Sequence, residues 1–279
     1  MKNTDVGILS RPLCALAAAL LLASCSTVQT TEGGTVGVGR TQRMAVSEAQ
    51  IEQAARQQYA EVLADARKKG TLNRDAAQLN RIRSISSRLI AQTAVFRPEA
   101  RNWQWEQNLI TAPEVNAWCM PGGKIAVYTG LIEKLRISDD ELAAVLGHEI
   151  AHALREHARE RASQQVGTDL ASAGAEIIGS IYGIGGLGKV ASTGLQLGIG
   201  LPNSRLHETE ADRIGVELAA RAGYDPRAAI SLWQKMAQVS SGAPPEFLST
   251  HPSRESRISD LTEYAQRVMP LFEQARKKR

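Results

Sequence analysis

Several things are scarce or missing in these 279 residues, and each absence excludes something. Only three cysteines occur, Cys14, Cys25 and Cys119, too few for a disulfide-stapled scaffold. Charge nearly cancels, at +4, too mild an excess to imply a nucleic-acid partner. The glycine-rich stretch 166–202 is interrupted by Asp169, Glu176 and Lys189, so it lacks the roughly 18 consecutive apolar residues of a membrane span. No internal repeat is visible. With 43% hydrophobic and 22% charged residues, disorder cannot be the main state, and the length suffices for one sizeable core or two small ones.

What is present begins at the N-terminus. Lys2 and Arg11 precede an apolar run of 12, "PLCALAAALLLA", and then "LASC". This pattern is a signal peptide, too short to remain as a spanning helix. Leu22-Ala23-Ser24-Cys25 resembles the lipobox of bacterial lipoproteins, which implies cleavage after residue 24 and a diacylglycerol on the Cys25 thiol. A plain secretory signal is the alternative. Ser26 after the cysteine, rather than aspartate, resembles lipoproteins sorted to the outer membrane, and several acyl chains on one residue suffice for stable anchoring facing the periplasm. Loss of Lys2, Arg11 and Asp5, two positive charges and one negative, takes the formal charge from +4 to +3. Cys119 is then the one thiol left, either pairing between chains or buried as a small hydrophobe.

Residues 25–46, rich in Thr and Gly without periodicity, are expected to form a lipidated flexible tether, with the folded domain over 47–279. A capping box from Ser47 to Gln50 starts a helix whose apolar face is Ile51, Ala55, Tyr59, Val62 and Ala66, with Gly70 as its stop. A second helix is expected over 74–92. Period two then appears in "NWQWEQNLI", and "VNAWCM" and "KIAVYTG" suggest a strand pair joined through Pro121-Gly122-Gly123. The expected fold class is α+β, mainly helical, with a small β-sheet beside a helix capped by Ser138 and Glu141. Further helices are expected at 207–221, at 226–239 and after Pro252. The stretch 166–202 reads either as a flap over a cleft or as an ordinary helical hairpin.

The helix after Ser138 carries "GHEIAH", expected mid-helix. Residues four apart share a helix face, so the imidazoles of His148 and His152 can grip one ion. Glu149 projects about 100° away, beside the metal without ligating it. Zinc suits imidazole and carboxylate donors in tetrahedral geometry, and three protein ligands leave one position for water. His157, five residues beyond His152, would point about 140° away on a continuous helix and reads as a polar contact. "SRLHETEAD", 204–212, offers the better third ligand: Glu208 toward the metal and, four residues on, Asp212 toward the free ring N–H of a ligand histidine. His207 and Glu210 fall on other faces.

Together these motifs resemble the M48 family of zinc metallopeptidases, in its bacterial envelope lipoprotein branch, over about residues 47–270. "GHEIAH" and "SRLHETEAD" are similar to the family's two zinc motifs. "NAWCMPGGKIAVYTGL", 116–131, resembles the stretch that lays an edge strand along the substrate cleft, implying contacts from Asn116, Ala117 and Trp118. "THPSRESRI", 250–258, resembles a later element whose histidine and arginine, here His251 and Arg257, face the reacting carbonyl. The resemblance implies a zincin-like domain holding one zinc per chain, with Glu149 as general base, His251 or Arg257 as oxyanion donor, and unfolded or misassembled envelope polypeptides as substrates. It also leaves room for an outer-membrane protein partner. The alternatives are an outer-membrane-associated chaperone or assembly factor with little proteolysis, or a zinc ion that serves only folding. A structural site favours four protein ligands, usually with cysteine, and Cys119 stands alone.

Overall fold

A computed structural model describes residues 26–167, 204–239, 246–251 and 256–278. The signal segment, Cys25 and nearly all of the 166–202 stretch lie outside the described residues. Two short strands come first, β1 (Ser26–Val28) and β2 (Gln42–Met44), paired antiparallel. Then come α1 (Glu48–Lys68), α2 (Ala76–Ile90) and two 3-10 turns, followed by β3 (Glu106–Ile110), β4 (Ala117–Met120) and β5 (Lys124–Tyr128). The rest is helical: α3 (Thr129–Leu135), α4 (Asp139–Leu154), α5 (157–167), α6 (Arg205–Arg221), α7 (Ala228–Gln238), α8 (Glu246–Thr250) and α9 (Arg257–Lys277). The α+β, mainly helical architecture is the one expected from the sequence.

The core is organised around α4, buried on every side from Glu141 to Leu154. Leu142, Val145, Leu146 and Ile150, with alanines between them, leave no solvent stripe, which is the pattern of a central helix. Both arms of the Ser138–Glu141 capping box are formed. α4 packs against α2, α6, α7 and β4, and α9 closes over α6. The crossing of α4 and α6 is close enough that a Cβ on Gly147 would lie 2.8 Å from the Gly215 carbonyl oxygen. Glycine at both positions is what lets the two backbones touch.

The sheet has the order β3-β5-β4, with β3 parallel and β4 antiparallel to β5. Ala117 pairs with Val127 and Met120 with Lys124, so the Pro121-Gly122-Gly123 turn closes the expected hairpin. Gly122 and Gly123 take φ of +77° and +81°, the left-handed region that suits glycine. Among the described residues β4 has a free edge, and its inner face lies on α4.

Three expectations are corrected. Residues 26–46 are not a loose tether but a packed strap: Val36, Val38, Met44 and Val46 are buried, and the Val36 amide donates to Glu217 Oε2 at 2.9 Å. Thr30, Thr31 and Gln42 bond to Arg155, which supplies the polar partners that the Thr-rich sequence was expected to find in water. The zinc motif sits in the last turns of α4, not mid-helix, since the helix ends at Leu154 and Glu156 turns left-handed at φ +51°. On α1, Leu63 rather than Val62 joins Ile51, Ala55, Tyr59 and Ala66 in the buried set.

Candidate metal centre

Four ligand-type side chains converge at the end of α4: His148, His152, Glu208 and His251, all buried, with donor atoms within 4.8 Å of one another. His148 Nε2 and His152 Nε2 are 3.0 Å apart. Glu208 brings Oε2 to 3.4 Å from His148 Nε2 and Oε1 to 3.3 Å from His152 Nε2. α6, capped by the Ser204 hydroxyl, delivers Glu208 from its first turn. His251 Nδ1 lies 3.2 Å from His148 Nε2 and 3.0 Å from Glu208 Oε1. It is therefore placed to act as a fourth donor, while its Nε2 lies 3.4 Å from Glu149 Oε1.

Asp212 stands one turn beyond Glu208, its Oδ1 3.0 Å from His148 Nδ1. That contact holds the proton on Nδ1 and leaves Nε2 bare for an ion. Arg257 lies behind this pair. It is 1% exposed, donates from Nη2 to Asp212 Oδ1 at 2.7 Å, approaches Glu208 Oε2 at 3.2 Å, and stacks its guanidinium over the Trp233 ring. Among the described residues it does not line the cleft, and it neutralises the two carboxylates from the rear.

The electrostatics follow from burial and neighbours. Burial works against charging His148, but Glu208 and Asp212 outweigh it and raise its pKa to about 9. His152, buried with less compensation from Glu208, is pushed well below the usual histidine range. Burial opposes ionisation of Glu208, yet His251 and His148 hold its carboxyl well below the usual range. For Glu149 burial dominates and the carboxyl is raised. Its Oε1 is 3.4 Å from His251 Nε2 and has no hydrogen-bond partner among the described residues.

Glu149, His152 and His251 open on a cleft of about 330 Å³ whose other wall is Asn116, Ala117 and Trp118 of the β4 edge. The residues expected to neighbour a substrate strand thus share a cleft with Glu149. Arg161, from α5, lines the same cleft and was not singled out from the sequence. Burial lowers its pKa to about 10, leaving it a cation at neutral pH. Cys119 is buried and free, the bland one of its two expected states.

The donor set fits zinc. His148 Nε2 and His152 Nε2 face each other at 3.0 Å and, among the described residues, buried Glu208 Oε2 has no hydrogen-bond partner, so these donor atoms converge on one point that a cation would suit. A family model, peptidase family M48, matches residues 76–265. The chain belongs to peptidase family M48. Members of this family are zinc-dependent, and His148, His152, Glu208 and His251 are a group here that could hold the ion. Among its relatives, the mitochondrial metalloendopeptidase OMA1 of Arabidopsis thaliana is 39% identical over 57% of this chain and 31% of its own length. OMA1 of Schizosaccharomyces pombe is 38% identical over 58% of this chain and 47% of its own length. The beta-barrel assembly-enhancing protease of Yersinia pestis is 33% identical over 68% of this chain and 39% of its own length. The chain spans about a third to a half of the length of the curated relatives it matches.

Proposed function

We propose that this M48 chain is a zinc-dependent endopeptidase of the bacterial cell envelope. It hydrolyses unfolded or misassembled envelope polypeptides while held to the outer membrane, facing the periplasm, by lipid on Cys25. The observation that carries the peptidase reading is Glu149, a buried carboxylate beside the donor set but not in it, opening with His152 on the cleft under β4. A site that only stabilises the fold has no use for such a group. Zinc, when bound, supplies a Lewis acid that acidifies water and polarises a carbonyl. Glu149 does the proton work, and its raised pKa suits both taking a proton from water and handing it to the leaving nitrogen. Asn116, Ala117 and Trp118 orient an extended polypeptide, whose backbone adds to the β4 edge as a further strand; recognition through the backbone tolerates many sequences.

The envelope assignment is supported by the bacterial relatives, which by name enhance β-barrel assembly, and an outer-membrane partner is proposed on the same ground. Other relatives are mitochondrial, so the anchor rests on the sequence of residues 1–25. Lipid labelling of wild type and of Cys25→Ala, with fractionation of the envelope, tests it: wild type takes up fatty acid and floats with outer membranes, and the variant does neither.

One observation favours a second reading, a chaperone or assembly factor with little proteolysis. With His251 in the group, four protein donors would satisfy a tetrahedral ion and leave no position for water. Casein degradation with and without a chelator separates the two: chelator-sensitive cleavage supports the peptidase, and casein left intact beside measurable binding supports the chaperone.

A further inference from the structure

His152 presents Nε2 to the donor group, so its remaining ring proton belongs on Nδ1 and needs an acceptor. That acceptor is a third imidazole, since His152 Nδ1 lies 2.8 Å from His157 Nδ1. A neutral imidazole accepts at Nδ1 only when its own proton is on Nε2. His157 Nε2 is 3.0 Å from Glu210 Oε2, and Glu210 is in turn ion-paired with Arg155 at 3.1 Å and Arg40 at 2.9 Å. A carboxylate between two guanidinium groups offers lone pairs only. The direction of every bond is therefore fixed: His157 Nε2–H donates to Glu210, His157 Nδ1 accepts from His152 Nδ1–H, and His152 Nε2 is left bare.

We infer that His157 and Glu210 are positioning residues that set the tautomer and ring orientation of His152 for metal ligation, as Asp212 does for His148. The inference rests on the zinc-site reading and extends it to residues outside the donor set. The local backbone is built for it. On a continuous helix His157 would point about 140° from His152, but the left-handed Glu156 breaks the helix and swings the ring back. His157 is fully buried and stacked on His207, with ring centroids 4.3 Å apart and planes 17° from parallel. Arg40 comes from the N-terminal strap, so the strap supplies part of the polar frame that holds Glu210.

His157, Glu160 and His207 have donor atoms within 4.8 Å of one another and invite comparison with a second metal site. Glu160 already accepts from Arg40, Gln42 and His207, and imidazole lone pairs lying in two nearly parallel, stacked planes do not converge on one point. The cluster is a hydrogen-bonded support for the site already described.

The test uses the full chain and reads zinc affinity by competition with a chromogenic chelator, with no substrate present. His157→Phe keeps a ring on His207 but cannot accept a hydrogen bond; His157→Gln restores an acceptor toward His152 and a donor toward Glu210. The expected result is zinc affinity lowered about 10–100-fold in His157→Phe and largely recovered in His157→Gln. Wild-type affinity in His157→Phe, or equal loss in both variants, overturns the inference. Should metal-free His157→Phe fail to fold, long-range ¹H–¹⁵N spectra of the wild-type imidazoles decide the matter. Protons on His157 Nε2 and His152 Nδ1 uphold the relay, and a proton on His157 Nδ1 overturns it. No zinc uptake by wild type removes the site itself and the relay with it, an outcome distinct from wild-type binding that is indifferent to His157.

Discussion

Gly147 and Gly215 hold two helix backbones in contact one residue from His148: a Cβ on Gly215 would lie 2.8 Å from the His148 amide nitrogen. That contact sets the separation of α4 and α6, and the separation decides whether Glu208 and Asp212 reach the two sides of the His148 ring. Every near neighbour of the added methyl is backbone, so no side chain can swing aside. Gly215→Ala is therefore expected to cost about 1–3 kcal/mol of stability by overpacking and to weaken zinc binding as well. Urea unfolding of the metal-free protein and chelator competition measure the two effects. A variant that loses neither shows that the crossing does not position the site.

Arg257 separates two accounts of the same residue. As a donor to the reacting carbonyl, its loss would slow cleavage and spare stability. Placed behind Asp212 and Glu208, its replacement by leucine leaves buried carboxylates short of their cation, and about 3–5 kcal/mol of stability should go. Denaturant unfolding of metal-free Arg257→Leu reads this without any substrate, and unchanged stability returns Arg257 to the carbonyl.

His251 divides the accounts in the same way. With its Nδ1 among the donors it occupies the position that water needs, so His251→Ala is expected to cleave peptide faster than wild type at equal zinc content. Slower cleavage at full zinc occupancy would restore the oxyanion-donor role implied by resemblance.

Zinc uptake should also release protons. His148, raised to about 9, carries a second ring proton in the metal-free protein at pH 7, whereas His152 and Glu208 are held below the range in which they would carry one. The ion must displace the His148 proton, so about one proton is released per zinc at pH 7 and close to none at pH 10. Calorimetry in buffers of different ionisation enthalpy counts it; a count near zero at pH 7 contradicts the shift.

Much of this site was legible in the sequence because it obeys helical spacing. His148 and His152, and Glu208 and Asp212, are i, i+4 pairs on single helices, and the Ser138–Glu141 capping box located the first of those helices. The β4–β5 hairpin was legible through its Pro-Gly-Gly turn. His157 was hidden by its own backbone, since extending α4 past Leu154 turns it away, and only the left-handed Glu156 brings it back. The run 204–212 is dense in charge, yet His207, Glu208, Thr209, Glu210 and Asp212 are all buried, because their charges are answered by Arg40, Arg155, Arg257 and the histidines. All of those partners, and the valines that seat the strap, come from segments far from 204–212 in the chain, and no local pattern announces such pairing.

The central claim is that Glu149 does the chemistry while the donors hold the metal, and Glu149→Gln tests it most directly. Glutamine keeps the shape of the buried side chain but cannot take a proton at neutral pH. With zinc content and peptide binding measured on the same preparation, the variant is expected to match wild type in both, while its turnover of a fluorogenic peptide falls by about 10²-fold or more. Near wild-type turnover at equal zinc content would contradict the hydrolytic account and leave the binding role in its place.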